Sequence, residues 1–181
     1  RDIRIQTNCI TVHALPSASI GMSMGGSCDS NTVFQFTGSG SGISAWSWSF
    51  GDGSTANTQQ ATHIYGSTGS FPVSLTVTST NGCTDTLDRS VTIFPKPDLN
   101  FLGDSLVCVR NPTQLLVFGA DNYSWSPTFP LSCNTCNNPV ATVSQTTKFK
   151  VIGSNSFGCR DSAFFTLKVR PTSIPEVDII V

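Results

Sequence analysis

The sequence is short of charge. Asp, Glu, Lys and Arg make up 12% of its 181 residues, about half of the ~25% usual in a globular domain. Ser, Thr, Asn and Gly fill the polar positions instead, which gives the neutral, hydroxyl- and amide-rich surface common outside cells. The net charge is −1 and the basic residues form no run. A nucleic-acid partner needs clustered Lys and Arg, so none is expected. No apolar stretch approaches the ~18 residues that span a bilayer. Helical spacing of apolar residues is missing as well, which leaves an all-β reading. The chain starts at Arg1 with neither an initiator Met nor a signal peptide and stops in Ile179-Ile180-Val181. Both ends read as cut from a longer polypeptide, so the missing signal says nothing about compartment.

Period-two alternation dominates what remains. Phe71, Val73, Leu75 and Val77 alternate with Pro72, Ser74, Thr76 and Thr78, one face apolar and the other wet. Trp46, Trp48 and Phe50 share a face, as do Phe165, Leu167 and Val169. Turn-forming Gly, Asn, Pro and Ser clusters punctuate these runs at the spacing of a sandwich. Internal similarity then sets the organisation: residues 1–10 (RDIRIQTNCI) align without gaps to 84–93 (TDTLDRSVTI) and to 160–169 (RDSAFFTLKV). Each copy leads into a Pro-containing joint and a new short strand. The expected layout is the last strand of a preceding repeat (1–14), two whole sandwiches (15–96 and 97–172) and the first strand of a following one (173–181). Short Pro-marked joints favour a semi-rigid rod. The orphan strands at either end offer unpaired edges that neighbouring copies could complete by strand addition.

A family resemblance rests on a long ordered pattern. Trp48-Ser49-Phe50-Gly51-Asp52-Gly53-Ser54, then His63-Ile64-Tyr65, then Gly69-Ser70-Phe71-Pro72-Val73-Ser74-Leu75 and Gly82-Cys83 together resemble the polycystic-kidney-disease (PKD) domain, an immunoglobulin-like sandwich. Ala61 departs from it, where the family often has Pro. The next segment looks like the Ig-like repeats that accompany PKD domains in large surface adhesins of gliding and biofilm-forming bacteria. Tyr123-Ser124-Trp125-Ser126-Pro127, Cys133-Asn134-Thr135-Cys136, Asn138-Pro139-Val140-Ala141-Thr142, Thr146-Thr147-Lys148-Phe149 and Gly158-Cys159 carry that likeness. The resemblance implies secretion by the type IX route, tandem arrays at the cell surface, and no catalytic residues. It leaves two functions open: a structural and adhesive segment of a rod or filament, or an accessory substrate- or glycan-binding module of a secreted degradative enzyme.

Several residue sets invite chemistry. Phe50-Gly51-Asp52-Gly53 reads as a tight turn whose carboxylate bonds backbone N–H groups; calcium at Asp52 is the alternative, though one carboxylate is little charge for it. His63 and Asp52, together with the G-x-S-x-G pattern Gly21-Met22-Ser23-Met24-Gly25, would suggest a hydrolase. That motif needs a strand running into a helix, and none is expected here. His63 is instead expected in a loop, half-buried, bonding backbone. No cofactor, metal or catalytic residue is assigned. Seven cysteines point to an oxidising compartment. Cys28 and Cys108 hold like positions in the two sandwiches, as do Cys83 and Cys159, so Cys28–Cys83 and Cys108–Cys159 are expected, each stabilising by about 4 kcal/mol. Cys133 and Cys136 suit a local disulfide, with zinc or redox pairing as alternatives. Cys9 is left over, either free or bonded elsewhere. Trp46, Trp48, Trp125 and Tyr123 are expected in the cores, and Phe118, Phe129 and Phe164 as exposed contacts for a glycan or protein.

Overall fold

The computed structural model describes residues 13–170, and among them all regular structure is β. The chain divides into two compact units, Arg1–Phe94 and Pro95–Val181. The expected flanking strands in 1–14 and 173–181 fall outside the described residues, apart from His13 and Ala14, and so does Cys9.

The first unit contains Ser17–Met22 (β1), Gly26–Ser27 (β2), Phe34–Ser41 (β3), Ile43–Ser49 (β4), Thr55–Ala56 (β5), Gln60–His63 (β6), Gly69–Ser79 (β7) and Thr84–Ile93 (β8). They form two sheets, β1-β3-β6 and β2-β8-β7-β4-β5. Alternation decides the facing: in β3 Phe34 and Phe36 point inward between exposed Gln35 and Thr37, and in β7 Val73, Leu75 and Val77 do the same. These meet Trp48, Phe50, Tyr65, Val91 and Ile93 in one buried cluster, each large side chain contributing about 1.5–3 kcal/mol. The outer face of the larger sheet is a hydroxyl carpet. Ser74 Oγ donates to Asp88 Oδ1 at 2.6 Å and the Thr76 and Thr86 hydroxyls lie 3.1 Å apart.

The second unit contains Asn100–Leu102 (β9), Leu106–Cys108 (β10), Thr113–Gln114 (β11), Leu116–Phe118 (β12), Asn122–Ser126 (β13), Val140–Ala141 (β14), Thr147–Ser154 (β15) and Arg160–Arg170 (β16). A four-stranded sheet, β10-β16-β15-β13, faces the short pairs β9-β12 and β11-β14. Val107, Val117, Trp125, Phe149, Val151 and Leu167 fill the space between. This is a tandem β-sandwich architecture.

The repeat seen in the sequence recurs in hydrogen bonds. At the β7–β8 hairpin Ser79 N–H donates to the Cys83 carbonyl and Cys83 N–H to Ser79 Oγ. At the β15–β16 hairpin Asn155 N–H donates to the Cys159 carbonyl and Cys159 N–H to Asn155 Oδ1. Gly82 and Gly158 take φ of 80° and 79° in the two turns, a left-handed conformation that costs glycine nothing. Trp48 Nε1 and Trp125 Nε1 each donate at 2.8 Å to a loop carbonyl, of Thr58 and Cys136. In both units the last strand also takes a short parallel neighbour, β2 beside β8 and β10 beside β16.

That parallel pairing corrects the cysteine expectation. Cys133 and Cys136 are bonded, with Cα atoms 6.0 Å apart, but Cys83 and Cys108 are free thiols. Cys28 and Cys159 are disulfide-bonded, yet neither Cys28–Cys83 nor Cys108–Cys159 exists. Ser27 pairs with Ile93 at the C-terminal end of β8, whereas Cys83 precedes its first residue. Ten residues of strand, roughly 30 Å, separate them, and a cystine bridges at most about 7 Å between Cα atoms. Cys108 pairs with Arg170 while Cys159 precedes Arg160, so the same geometry forbids the second bridge. Iodoacetamide applied to the native protein without reductant is therefore expected to label Cys83 and Cys108 and to spare Cys133 and Cys136, as read by peptide mass mapping.

Candidate functional site

A set of polar and aromatic groups gathers where β4 ends. The strand delivers Trp48 and then Phe50 to the core, and the chain reverses through Gly51-Asp52-Gly53, with φ of +82° and +95° at the glycines. Phe50 N–H donates to the Ser54 carbonyl at 3.0 Å, and Ser54 N–H donates to Asp52 Oδ1 at 2.9 Å. Asp52 Oδ2 lies 2.7 Å from His63 Nε2. His63 is the last residue of β6, paired with Phe34. It is thus a strand residue bonded to a side chain, which corrects the loop position and backbone bond expected of it. The β-sheet register, which sequence reading did not supply, brings it to the turn.

The imidazole is boxed in. Phe50 stacks on it with centroids 4.5 Å apart and planes 7° apart, and Tyr65 meets it edge-on at 4.7 Å. Tyr65 also stacks on Phe71 at 4.3 Å and is fully buried; its hydroxyl has no hydrogen-bond partner among the described residues. Burial, and then the Asp52 charge, push the Tyr65 phenol up to about 12. Partial burial by itself would raise the Asp52 carboxyl, but the Ser54 N–H and the hydrogen bond and charge of His63 outweigh it and hold the group below its usual range.

Chemically this arrangement locks a turn. Both Asp52 oxygens are engaged, and no third His, Cys, Asp or Glu joins them to hold a cation among the described residues. Ser23 follows β1 and enters no helix; its Oγ accepts the Gln35 N–H at 3.2 Å, and its own N–H donates to the Gln35 carbonyl. That extends the β1–β3 edge and builds no nucleophile elbow. Because the folded pKa of Asp52 is depressed, its ionisation stabilises the unit above the unfolded value of about 3.9, and that contribution is lost as pH falls through the lower folded value. Asp52→Asn is expected to cost about 1 kcal/mol at neutral pH and to flatten the acid limb of the stability profile below pH ~4, measured by urea melts across pH.

The aromatics sort by burial. Trp48 and Trp125 are core residues, Trp46 and Tyr123 pack against the cores half-buried, and Phe118, Phe129 and Phe164 stand in solvent.

The turn, the His63–Asp52 contact and the Trp48 anchor lie inside one matched segment. Residues 14–94 match the PKD domain. The PKD1 domain of the Vibrio cholerae metalloprotease PrtV is 25% identical, over 44% of this chain and 98% of that one, with a TM-score of 0.39. The PKD1 domain of Vibrio anguillarum Epp is 23% identical, over 45% and 96%, also at 0.39. Part of a bacterial ice-binding adhesin covers 87% of this chain and 66% of its own length at 13% identity, with a TM-score of 0.41. Likeness at these scores says nothing about a ligand. No curated protein matches the chain. The PKD match ends at the boundary between the two compact units.

Proposed function

We propose that this chain is a non-catalytic, adhesive segment of a secreted cell-surface protein, in which a PKD domain and an Ig-like sandwich stand in a tandem array. The observation that carries the reading is the repeated hairpin: Ser79, Gly82 and Cys83 correspond to Asn155, Gly158 and Cys159 in position and bonding, on strands that align without gaps. The same building plan used twice in series suits a spacer that gains reach by repetition. The PKD turn, although rich in polar groups, spends its hydrogen bonds on its own closure. We place the protein outside the cell, exported by the type IX route, with other repeats of the same protein as its neighbours and with extension into a rod or filament as its purpose. The domain limits 15–96 and 97–172 belong to this proposal.

Small-angle scattering on the monodisperse protein tests it. An elongated particle with a maximum dimension near two sandwiches end to end supports the array; a compact particle of single-domain girth overturns it. Exposed Phe118, Phe129 and Phe164 favour a second reading, in which the second unit is an accessory binding module of a secreted degradative enzyme.

A further inference from the structure

The outer face of the β10-β16-β15-β13 sheet concentrates charge that the sequence scatters. Lys150 pairs with Phe164 and Lys148 with Thr166, alternating with the inward-facing Phe149–Phe165 and Val151–Ala163 pairs, whose members join or pack against the core. Residues of equal parity share a face, so Lys148, Lys150, Arg160, Lys168 and Arg170 all point outward. Those five are half of the ten Lys and Arg in the whole chain, although the chain is net negative. The same face of these four strands carries no carboxylate; its other positions are Ser, Thr and Asn with Leu106, Cys108, Ile152 and Phe164. Asp161, on the opposite parity, lines the rim of a depression beside Ile152, and its Oδ1 accepts the Ser162 N–H at 2.8 Å.

Phe164 is 57% exposed, and Lys148 Nζ sits 4.1 Å above its ring centroid. Two shallow depressions flank Ile152 and share Arg160, one of them running to Asn122 and Ser124 on β13. Cations, a single ring and neighbouring hydroxyl and amide groups thus occupy one sheet face.

We infer that this face binds a linear acidic polysaccharide, its uronate or sulfate groups on the lysines and arginines and its hydroxyls on Asn122, Ser124 and Ser162. Charge complementarity carries the choice of an anion. The polar lining decides between anions. Single-stranded nucleic acid is held by bases stacked on successive aromatic rings, and Phe164 is the one ring on this face. A sugar chain instead offers hydroxyls for Ser, Thr and Asn to meet. The inference deepens the adhesive reading and rests on it: it names the face and the class of ligand.

The test passes the 181-residue protein over immobilised polygalacturonate and chondroitin sulfate, with neutral dextran, single-stranded DNA and vesicles of anionic phospholipid alongside. Binding to the two acidic polysaccharides is expected, weakening about tenfold as salt shortens the Debye length. Lys150→Gln with Arg160→Gln is expected to weaken it by about 3- to 10-fold, as is Lys148→Gln with Lys168→Gln. Arg89→Gln, a cation of the PKD unit, leaves it unchanged. Thermal melts confirm that each variant folds. Equal binding to dextran, tighter binding to DNA or vesicles, no binding at all, or indifference to both double variants overturns the inference. If scattering still shows an elongated particle, only the ligand assignment has failed; if the particle is compact, the adhesive array has failed too.

Discussion

Trp48→Ala is expected to lower the stability of the PKD unit by about 4 kcal/mol, within the 3–5 kcal/mol typical of deleting a core aromatic. Trp48 is fully buried, lies 5.7 Å from Phe36 and 6.4 Å from Phe50 between ring centroids, and donates its indole N–H to the Thr58 carbonyl. Alanine removes the ring from the centre of the cluster and leaves that carbonyl without its donor, so a transfer cost and a hydrogen-bond cost fall on one site. For a domain of this size the loss corresponds to a melting shift of roughly 15–30 °C, visible by calorimetry. Trp48→Phe, which keeps an aromatic but not the donor, is expected to lose only about 1–2 kcal/mol. A shift under about 5 °C for the alanine variant would contradict the role given to this residue.

The second large effect is at Gly51. Gly51→Ala is expected to cost about 3 kcal/mol or more, because φ of +82° is strained for an L side chain and the added methyl would collide with the Pro72 carbonyl oxygen. Gly53 separates the two causes. Its φ is +95°, yet a Cβ there meets nothing within 4 Å, so Gly53→Ala carries the backbone penalty alone, about 1 kcal/mol. Urea denaturation of both variants measures the difference. Equal losses would mean that the approach of β7 to the turn plays no part.

Much of the architecture is legible in the sequence. The alternation of Phe71, Val73, Leu75 and Val77 names an inward face because a strand has a period of two, and β7 buries three of those four residues completely. Gly82 and Gly158 could be aligned because hairpin turns need a residue that tolerates positive φ. The Asp52 turn was readable for the same reason, since a short carboxylate two residues before an N–H closes locally. All of these are interactions of neighbours along the chain.

What sequence reading missed depends on which strands lie side by side. Cys28 and Cys83 looked paired because each holds a repeated position. Sequence position does not say which end of β8 a short parallel strand occupies, however, and β2 takes the end remote from Cys83. His63 looked like a loop residue because Gln60–His63 is too short to show alternation; its pairing with Phe34 makes it a strand and aims it at Asp52. The basic face was overlooked because its members are scattered from Lys148 to Arg170 with no run. Their shared even numbering was the available signal, and it becomes a face only when Lys150 is set against Phe164.

The amino-acid sequence alone therefore determined the all-β class, the period-two cores and the PKD turn, since strand pattern and turn chemistry act over a few bonded neighbours. Only the tertiary structure decided which cysteines can meet, where His63 points and that half the cations share one surface. Each of those depends on the order and register of strands distant in the chain, and sheet pairing sets these through space.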